Sequence, residues 1–186
     1  MKHIDLEAVP ARSWWTLITL VWLLPAAILA GMYLFSASGR LQLAQQLPLL
    51  TYLAIIFLIS GLIPLWMMRH NSATIDNRQL RLRAARWFKR QVALDQIDWP
   101  RAAHHKLSGN SDQRPRWRTF GIGLPGYACG YFRLRDKTSA FAMLIGDEFV
   151  YLPLRDGKAV LFSPQKPQQW LRQAQRDFAD HSNQRQ

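Results

Sequence analysis

Residues 149–162 have the sequence Phe-Val-Tyr-Leu-Pro-Leu-Arg-Asp-Gly-Lys-Ala-Val-Leu-Phe. Two apolar segments, Phe149 to Leu154 and Ala159 to Phe162, flank the polar Arg155-Asp156-Gly157. Short segments rich in aliphatic and aromatic side chains are typical of β-strands, and Asp-Gly is a strong hairpin signal. This stretch therefore predicts two antiparallel strands joined by a tight turn.

Similar strand patterns precede this hairpin. Tyr131 to Leu134 and Ala140 to Ile145 are apolar, and the polar Arg135-Asp136-Lys137 separates them. Further upstream, Asn77 to Ala84 alternates apolar and polar residues with the period of two that places successive side chains on opposite faces of a strand. The second half of the chain therefore predicts a series of short antiparallel strands.

One helix is expected after the strands, at about residues 167–180. Ser163-Pro164 and Lys166-Pro167 introduce it, and proline is well tolerated in a first helical turn. An apolar stripe with near-helical spacing follows, formed by Trp170, Leu171, Ala174 and Phe178. These elements predict a mainly-β domain, a small barrel or bent sheet, with one C-terminal amphipathic helix.

The order of these segments resembles a known family. Arg118-Thr-Phe-Gly-Ile-Gly-Leu-Pro-Gly126 and Gly130-Tyr-Phe-Arg-Leu134 come first, followed by Val150–Gly157, Leu161-Phe-Ser-Pro164 and Trp170-Leu171. Over roughly residues 72–178 the chain resembles bacterial pleckstrin-homology-like (PH-like) domains attached to short membrane hairpins. The resemblance implies a seven-stranded, strongly bent sheet with a capping helix, and a domain that binds lipids, peptides or other proteins. It supplies no catalytic residues.

Two uncharged apolar runs of 22 residues, 14–35 and 47–68, precede the domain. At ~1.5 Å per residue each run would form a helix of ~33 Å, which exceeds the ~30 Å hydrocarbon core of a bilayer. They predict a hairpin of two transmembrane α-helices. Residues 1–13 would then be an N-terminal segment, 36–46 a periplasmic loop, and 69–186 a cytoplasmic PH-like domain.

Charge distribution determines the expected orientation. The link between the runs holds one basic residue, Arg40, whereas Arg69 is followed by four more arginines up to Arg86. Since basic flanks stay on the cytoplasmic side, we expect a multi-pass protein of the bacterial inner membrane with both termini in the cytoplasm. The domain holds most of the formal charge of +12, which favours an anionic partner.

Basic residues close to the second run are the first candidate lipid-binding group. They are Arg78, Arg81, Arg83, Arg86, Lys89 and Arg90. Each basic residue near an anionic leaflet gains about 1 kcal/mol. The alternative is that these charges only determine topology and solubility.

A second candidate lipid-binding group lies in the polar segment 101–118, which we expect to be a long loop. It comprises Arg114, Arg116, Trp117 and Arg118. Trp117 either inserts into the membrane interface as an amphipathic anchor or packs against the domain while the arginines are solvated.

Small residues in the first run form the pairs Ala26/Ala30 and Ala27/Gly31. Such spacing allows close approach of helices in lipid. It predicts either helix packing, including a possible homo-oligomer, or no more than a composition that lipid tolerates.

Several activities lack the residues they need. No catalytic motif is present, and His104-His105 has no cysteine or carboxylate cluster to complete a metal site. Residues 121–126, Gly-Ile-Gly-Leu-Pro-Gly, lack the order of a phosphate-binding loop and favour turns and close backbone approach. We expect no cofactor, no metal and no enzymatic activity, and we consider nucleic-acid binding unlikely.

The leading hypothesis is a membrane-anchored, non-enzymatic binding module. Its basic face would lie against anionic lipid while it recruits a protein partner that the sequence does not identify. The alternative is an accessory or assembly subunit of an inner-membrane complex, in which the transmembrane hairpin provides the functional surface.

Overall fold

The computed structural model describes residues 2–23, 25–27, 30–31, 51–52, 55–56, 59, 62, 66, 70–109 and 111–183. Its strands are β1 (Lys2–Ile4), β2 (Ser72–Asp76), β3 (Gln79–Ala84), β4 (Phe88–Ala93), β5 (Ala103–Lys106), β6 (Pro115–Leu124), β7 (Tyr127–Leu134), β8 (Ser139–Ile145), β9 (Glu148–Pro153) and β10 (Ala159–Phe162). Two α-helices have described bounds, α1 (Ala11–Ile18) and α2 (Pro167–Asn183), and the described residues between 25 and 66 are also helical. A π-helical turn, Thr19–Leu23, continues α1, and two 3-10 turns, Leu94–Gln96 and Trp99–Arg101, follow β4.

The first sheet has four antiparallel strands in the order β1-β2-β3-β4. Its alternation follows the sequence pattern, because Leu80 and Leu82 are buried while Arg83 is exposed. Asn77 and Arg78 turn the chain between β2 and β3 with φ of 46° and 59°. Asparagine is among the residues that most readily adopt this left-handed conformation.

The second sheet has six strands in the order β5-β9-β10-β8-β7-β6. The expected hairpin at 149–162 is confirmed: β9 and β10 are antiparallel, with Pro153 opposite Ala159 and Val150 opposite Phe162. On its other side β10 runs parallel to β8. The strand that follows β9 in sequence therefore lies between β8 and β9 in space.

The main core lies where apolar residues of both sheets meet. Leu82 of β3, Met143 of β8 and Leu152 of β9 are almost completely buried there. Helix α2 closes the core with Leu171 and Ala174. A second apolar cluster, which includes Phe132, Leu144, Phe149 and Leu161, is also buried.

The single seven-stranded bent sheet implied by the resemblance is wrong. The structure has two sheets, and three of its strands were not foreseen: β1, β5 and β6. Strand β5 lies inside the segment 101–118 that we expected to be a loop, and β6 begins in it. Edge strands can be polar on both faces, so their sequences, such as Pro-Arg-Trp-Arg at the start of β6, lack the alternation that predicts a strand.

The prediction of two membrane-spanning helices, and with it a multi-pass inner-membrane location, is also wrong for the part of the chain that the structure describes. No helix among those residues is long and apolar enough to cross a membrane. The first apolar run begins inside α1, which has only eight residues. The π-helical turn that starts at Thr19 follows it. Trp14 packs against the main core and Leu17 is buried, so this part of the run contacts protein. Much of both runs lies outside the described residues.

The N-terminal segment is part of the fold. β1 extends the first sheet by pairing with β2, and Ile4 enters the main core. The Glu7 backbone N–H donates to the Ser163 carbonyl at 3.3 Å, at the end of β10. Ser13 is fully buried, and its hydroxyl donates to the Pro125 carbonyl at 2.6 Å, in the turn between β6 and β7. Residues 2–13 therefore contact both sheets.

Candidate functional site

Two cations face each other on the exposed side of the first sheet. Arg83 of β3 lies directly opposite Lys89 of β4, and both side chains are exposed. Leu82 and Ala84, which flank Arg83, point into the core, so Arg83 and the directly opposite Lys89 lie on the outer face. Like charges directly opposite in an antiparallel pair are destabilising. The sheet therefore tolerates an unfavourable pair that an anion would relieve.

A third cation comes from the turn between these strands. Arg86, Arg83 and Lys89 line a cleft of about 510 Å3. The rest of the cleft lining is polar. It consists of three residues at or just before the start of β2, which are His70, Asn71 and Ser72. We call this the basic cleft. It combines three positive charges with neutral hydrogen-bonding groups, the combination that binds phosphate oxygens.

The turn that carries Arg86 is held by residues of the cleft itself. Ala85 and Arg86 both adopt the left-handed conformation, with φ of 48° and 61°. The buried Ala85 N–H donates to Asn71 Oδ1 at 3.0 Å, and the Arg86 N–H donates to the His70 carbonyl at 3.3 Å. Non-glycine residues rarely adopt this conformation unless their surroundings impose it.

The cleft's cations are not neutralised by carboxylates. Among the described residues, no ion pair engages Arg83, Arg86 or Lys89. The guanidinium of Arg86 lies 4.8 Å from the ring centroid of Trp66, a cation–π contact that leaves its charge intact.

The other members of the first predicted group lie elsewhere. Arg81 pairs with Asp76 at 3.6 Å. Arg78 is at the opposite end of β3, where its carbonyl accepts from the Leu94 N–H. Arg90 of β4 lies opposite Leu82 of β3. It is therefore on the core face of the sheet, and it is half-buried. The structure therefore brings together Arg83, Arg86 and Lys89 and separates them from the remaining arginines.

The second predicted group lies on or beside β6, an edge strand of the other sheet. Trp117 is 66% exposed, so it does not pack against the domain, and the Arg116 guanidinium lies 6.0 Å from its ring centroid. Arg114 and Arg118 are also exposed. None of these residues lines the basic cleft.

The small residues proposed for helix packing have no described packing partner. Ala26, Ala27 and Ala30 are exposed, and a Cβ built on Gly31 would meet no atom within 4 Å among the described residues. Their role in helix packing stays a prediction.

His104 and His105 lie on β5 and have structural contacts. His104 Nε2 lies 3.2 Å from Glu148 Oε2, and the His105 ring packs against Phe149 and Tyr151. Burial lowers the pKa of His105, with a further contribution from His104. Lys106 approaches the same Glu148 at 3.0 Å.

A cavity of about 570 Å3 adjoins the basic cleft beneath the N-terminal segment. It shares Asn71 and Ser72 with the cleft, but its charged lining consists of Asp5 and Glu7. A cavity with two carboxylates and no lysine or arginine is poorly suited to an anion. The basic cleft is therefore the better candidate for an anionic ligand.

Sequence reasoning missed the polar half of the basic cleft. His70, Asn71 and Ser72 have no charge pattern or motif that marks them. The clue available in the sequence was their position shortly after the second apolar run, where the first strand of the domain begins.

A scan against protein families matches residues 71–177 to the family described as bacterial PH domain. This span covers more than half of the 186 residues and confirms the expected PH-like domain. Searches of curated proteins and of solved structures found no match. PH domains are typically non-catalytic binding modules. The matched span begins at Asn71, in the basic cleft, and ends within α2, and by this match the chain belongs to the bacterial PH domain family.

Proposed function

We propose that this protein is a non-enzymatic binding module whose basic cleft recognises the phosphate-bearing headgroups of anionic lipids. The observation that supports this most directly is the convergence of Arg83, Arg86 and Lys89, which have no carboxylate partner among the residues that the structure describes. An arginine presents two parallel N–H donors to a phosphate, whereas a lysine supplies a compact charge.

The cleft has a suitable size and composition for one headgroup. A volume of about 510 Å3 lies within the ~300–1,000 Å3 that small ligands occupy. Ser72 and Asn71 add neutral hydrogen-bonding groups beside the three cations. A site on the outer face of an exposed hairpin also suits a ligand that is presented on a surface.

The electrostatic contribution can be bounded. At about 1 kcal/mol per basic residue beside an anionic surface, three cations supply about 3 kcal/mol, or roughly a hundredfold in affinity. Such binding should weaken as salt screens the charges.

The test is vesicle flotation of the full chain. Vesicles of phosphatidylcholine are compared with vesicles that also contain phosphatidylserine, over a salt series. The cleft variant Arg83→Ala/Arg86→Ala/Lys89→Ala is compared with Arg155→Ala/Arg172→Ala/Arg176→Ala, which removes equal charge from exposed positions outside the cleft. We expect roughly a hundredfold loss of phosphatidylserine-dependent affinity in the cleft variant, and near-wild-type binding in its control.

Two results would contradict the proposal. Wild-type binding that does not increase with phosphatidylserine would exclude anionic headgroups as the ligand. Equal losses in the two triple variants would assign the effect to net charge alone. Competition by inorganic phosphate at constant ionic strength shows whether free phosphate shares the site with the lipid headgroup.

A further inference from the structure

Trp87 is the most exposed large apolar side chain among the described residues, at 74%. It is the last residue of the turn that joins β3 to β4, directly after Arg86 of the basic cleft. Burying a side chain of this size against a partner would remove a large apolar area from water.

The backbone of this turn is held in place. Ala85 and Arg86 adopt left-handed conformations that cost ~1–2 kcal/mol each, and the Trp87 N–H donates to the Ala85 carbonyl at 2.7 Å. Ala85 is fully buried and bonded to Asn71. The turn therefore maintains a strained geometry that places Trp87 at its end, and such strain commonly marks a functional segment.

Further aromatic surface lies next to this turn. The Phe88 ring meets the Phe120 ring with centroids 5.6 Å apart, and Phe120 is 68% exposed. The turn that carries Trp87 thus has aromatic surface beside the core face of the first sheet and the cations Arg83 and Lys89 on its outer face. Basic and aromatic side chains combined in this way are characteristic of surfaces that lie in the headgroup region of anionic bilayers.

We propose that Trp87 inserts its ring into the boundary between headgroups and acyl chains of the bilayer whose headgroups occupy the basic cleft. This inference rests on the proposed function. The cleft would supply a salt-dependent attraction and Trp87 a salt-independent apolar contribution, so that the two act in sequence as the domain approaches the surface.

The first test places a reporter at the turn of the full chain. Trp87→Cys is labelled with an environment-sensitive dye and mixed with phosphatidylserine-containing vesicles that carry bromine in their acyl chains. Cys129 is fully buried and so is protected from the label. The control, Lys158→Cys, lies in the exposed turn between β9 and β10.

That control lies in a turn of the second sheet, which contacts the chain beyond the far end of β4. The neighbouring Arg155 N–H donates to the carbonyl of Gln96, just beyond the end of β4. Trp87 directly precedes the other end of β4. At ~3.3 Å per residue, the strand separates Trp87 from its far end by roughly 20 Å. We expect a blue shift and bromine quenching at position 87 and neither at position 158.

The second test measures affinity. Trp87→Ala should lower vesicle affinity roughly tenfold at every salt concentration, while Trp87→Phe restores much of the loss. An unquenched dye at position 87 on bound protein would overturn the insertion and leave the proposed headgroup site standing. Equal quenching at positions 87 and 158 would also overturn it. A wild-type chain whose binding does not respond to phosphatidylserine would instead contradict the proposed function.

Discussion

The buried Tyr127 hydroxyl donates to Asn71 Oδ1 at 3.1 Å, and this links the core of the second sheet to the basic cleft of the first. The same oxygen accepts the Ala85 N–H from the strained turn. Burial raises the pKa of Tyr127 strongly, so its hydroxyl keeps its proton and remains a donor. One side-chain oxygen thus positions the turn that carries Arg86 and Trp87.

Asn71→Ala should remove both hydrogen bonds and leave a buried donor on Ala85 without its acceptor. An unsatisfied buried donor costs ~1–3 kcal/mol, so we expect a loss of stability in this range. Tyr127→Phe removes only one of the two bonds and should cost about 1 kcal/mol. Urea unfolding monitored by circular dichroism measures both, and equal losses in the two variants would argue against a shared role for the Asn71 oxygen.

Gly130→Ala should destabilise the second sheet. Gly130 of β7 lies opposite Gly121 of β6 with a φ of 121°, and a Cβ at this position would collide with the Phe120 carbonyl oxygen. Strain and collision together predict a loss of at least about 2 kcal/mol.

Gly157→Ala is a matched control for that substitution. Gly157 also has a positive φ, of 79°, but a Cβ there would meet no atom within 4 Å. Only the conformational cost of ~1–2 kcal/mol applies. Urea unfolding of the two variants gives the free energy of unfolding of each, and the difference between them is the cost of the collision. If Gly130→Ala is no less stable than Gly157→Ala, the close backbone approach at Gly130 is refuted.

Local patterns in the sequence predicted several elements because their determinants are local. The Asp-Gly turn gives the β9–β10 hairpin, and the alternation around Leu80 and Leu82 gives the buried face of β3. The glycines of residues 121–126 were expected to mark turns and close backbone approach, and a Cβ on Gly121 would indeed collide with the Cys129 carbonyl oxygen of the neighbouring strand. Elements whose pattern is complete within a few residues can be predicted from sequence.

Long-range pairing could not be predicted in this way. Nothing local in Ala159–Phe162 indicates that β10 lies parallel to β8. The basic cleft likewise depends on the approach of Asn71 to the Ala85 turn, a contact between residues 14 positions apart. The uncharged runs predicted two spanning helices because hydropathy measures composition, whereas no helix among the described residues is long and apolar enough to cross a membrane, and Trp14 of α1 packs against the domain.

Ser13→Ala should loosen the attachment of the N-terminal segment. The fully buried Ser13 hydroxyl donates to the Pro125 carbonyl at 2.6 Å, and alanine would leave that carbonyl without this donor. We expect a loss of ~1–2 kcal/mol and faster hydrogen exchange in the β6–β7 turn. Thr16→Ala is the control, because the Thr16 hydroxyl is bonded within α1 to the Arg12 carbonyl. Unchanged exchange in the β6–β7 turn of the Ser13→Ala variant would contradict this role.

Glu7 should make the stability of the fold depend on pH. Burial raises the pKa of Glu7 above its ordinary value of 4.5, and the nearby Glu148 and Asp147 raise it further, against an opposing effect of Arg12. The folded protein therefore retains the Glu7 proton to a higher pH than the unfolded chain does. The stabilisation from this residue is complete below pH 4.5 and is lost as the pH rises through the folded-state value.

Glu7→Gln should remove this dependence, because glutamine does not ionise. We expect the variant to be more stable than the wild type at neutral pH, and the difference in the free energy of unfolding to shrink as the pH falls toward 4.5. Urea unfolding at a series of pH values measures that difference. Asp95→Asn, in the exposed 3-10 turn after β4, controls for the loss of one negative charge. If Glu7→Gln and Asp95→Asn change stability equally at all pH values, the contact of Glu7 with the acidic pair Asp147 and Glu148 does not influence folding.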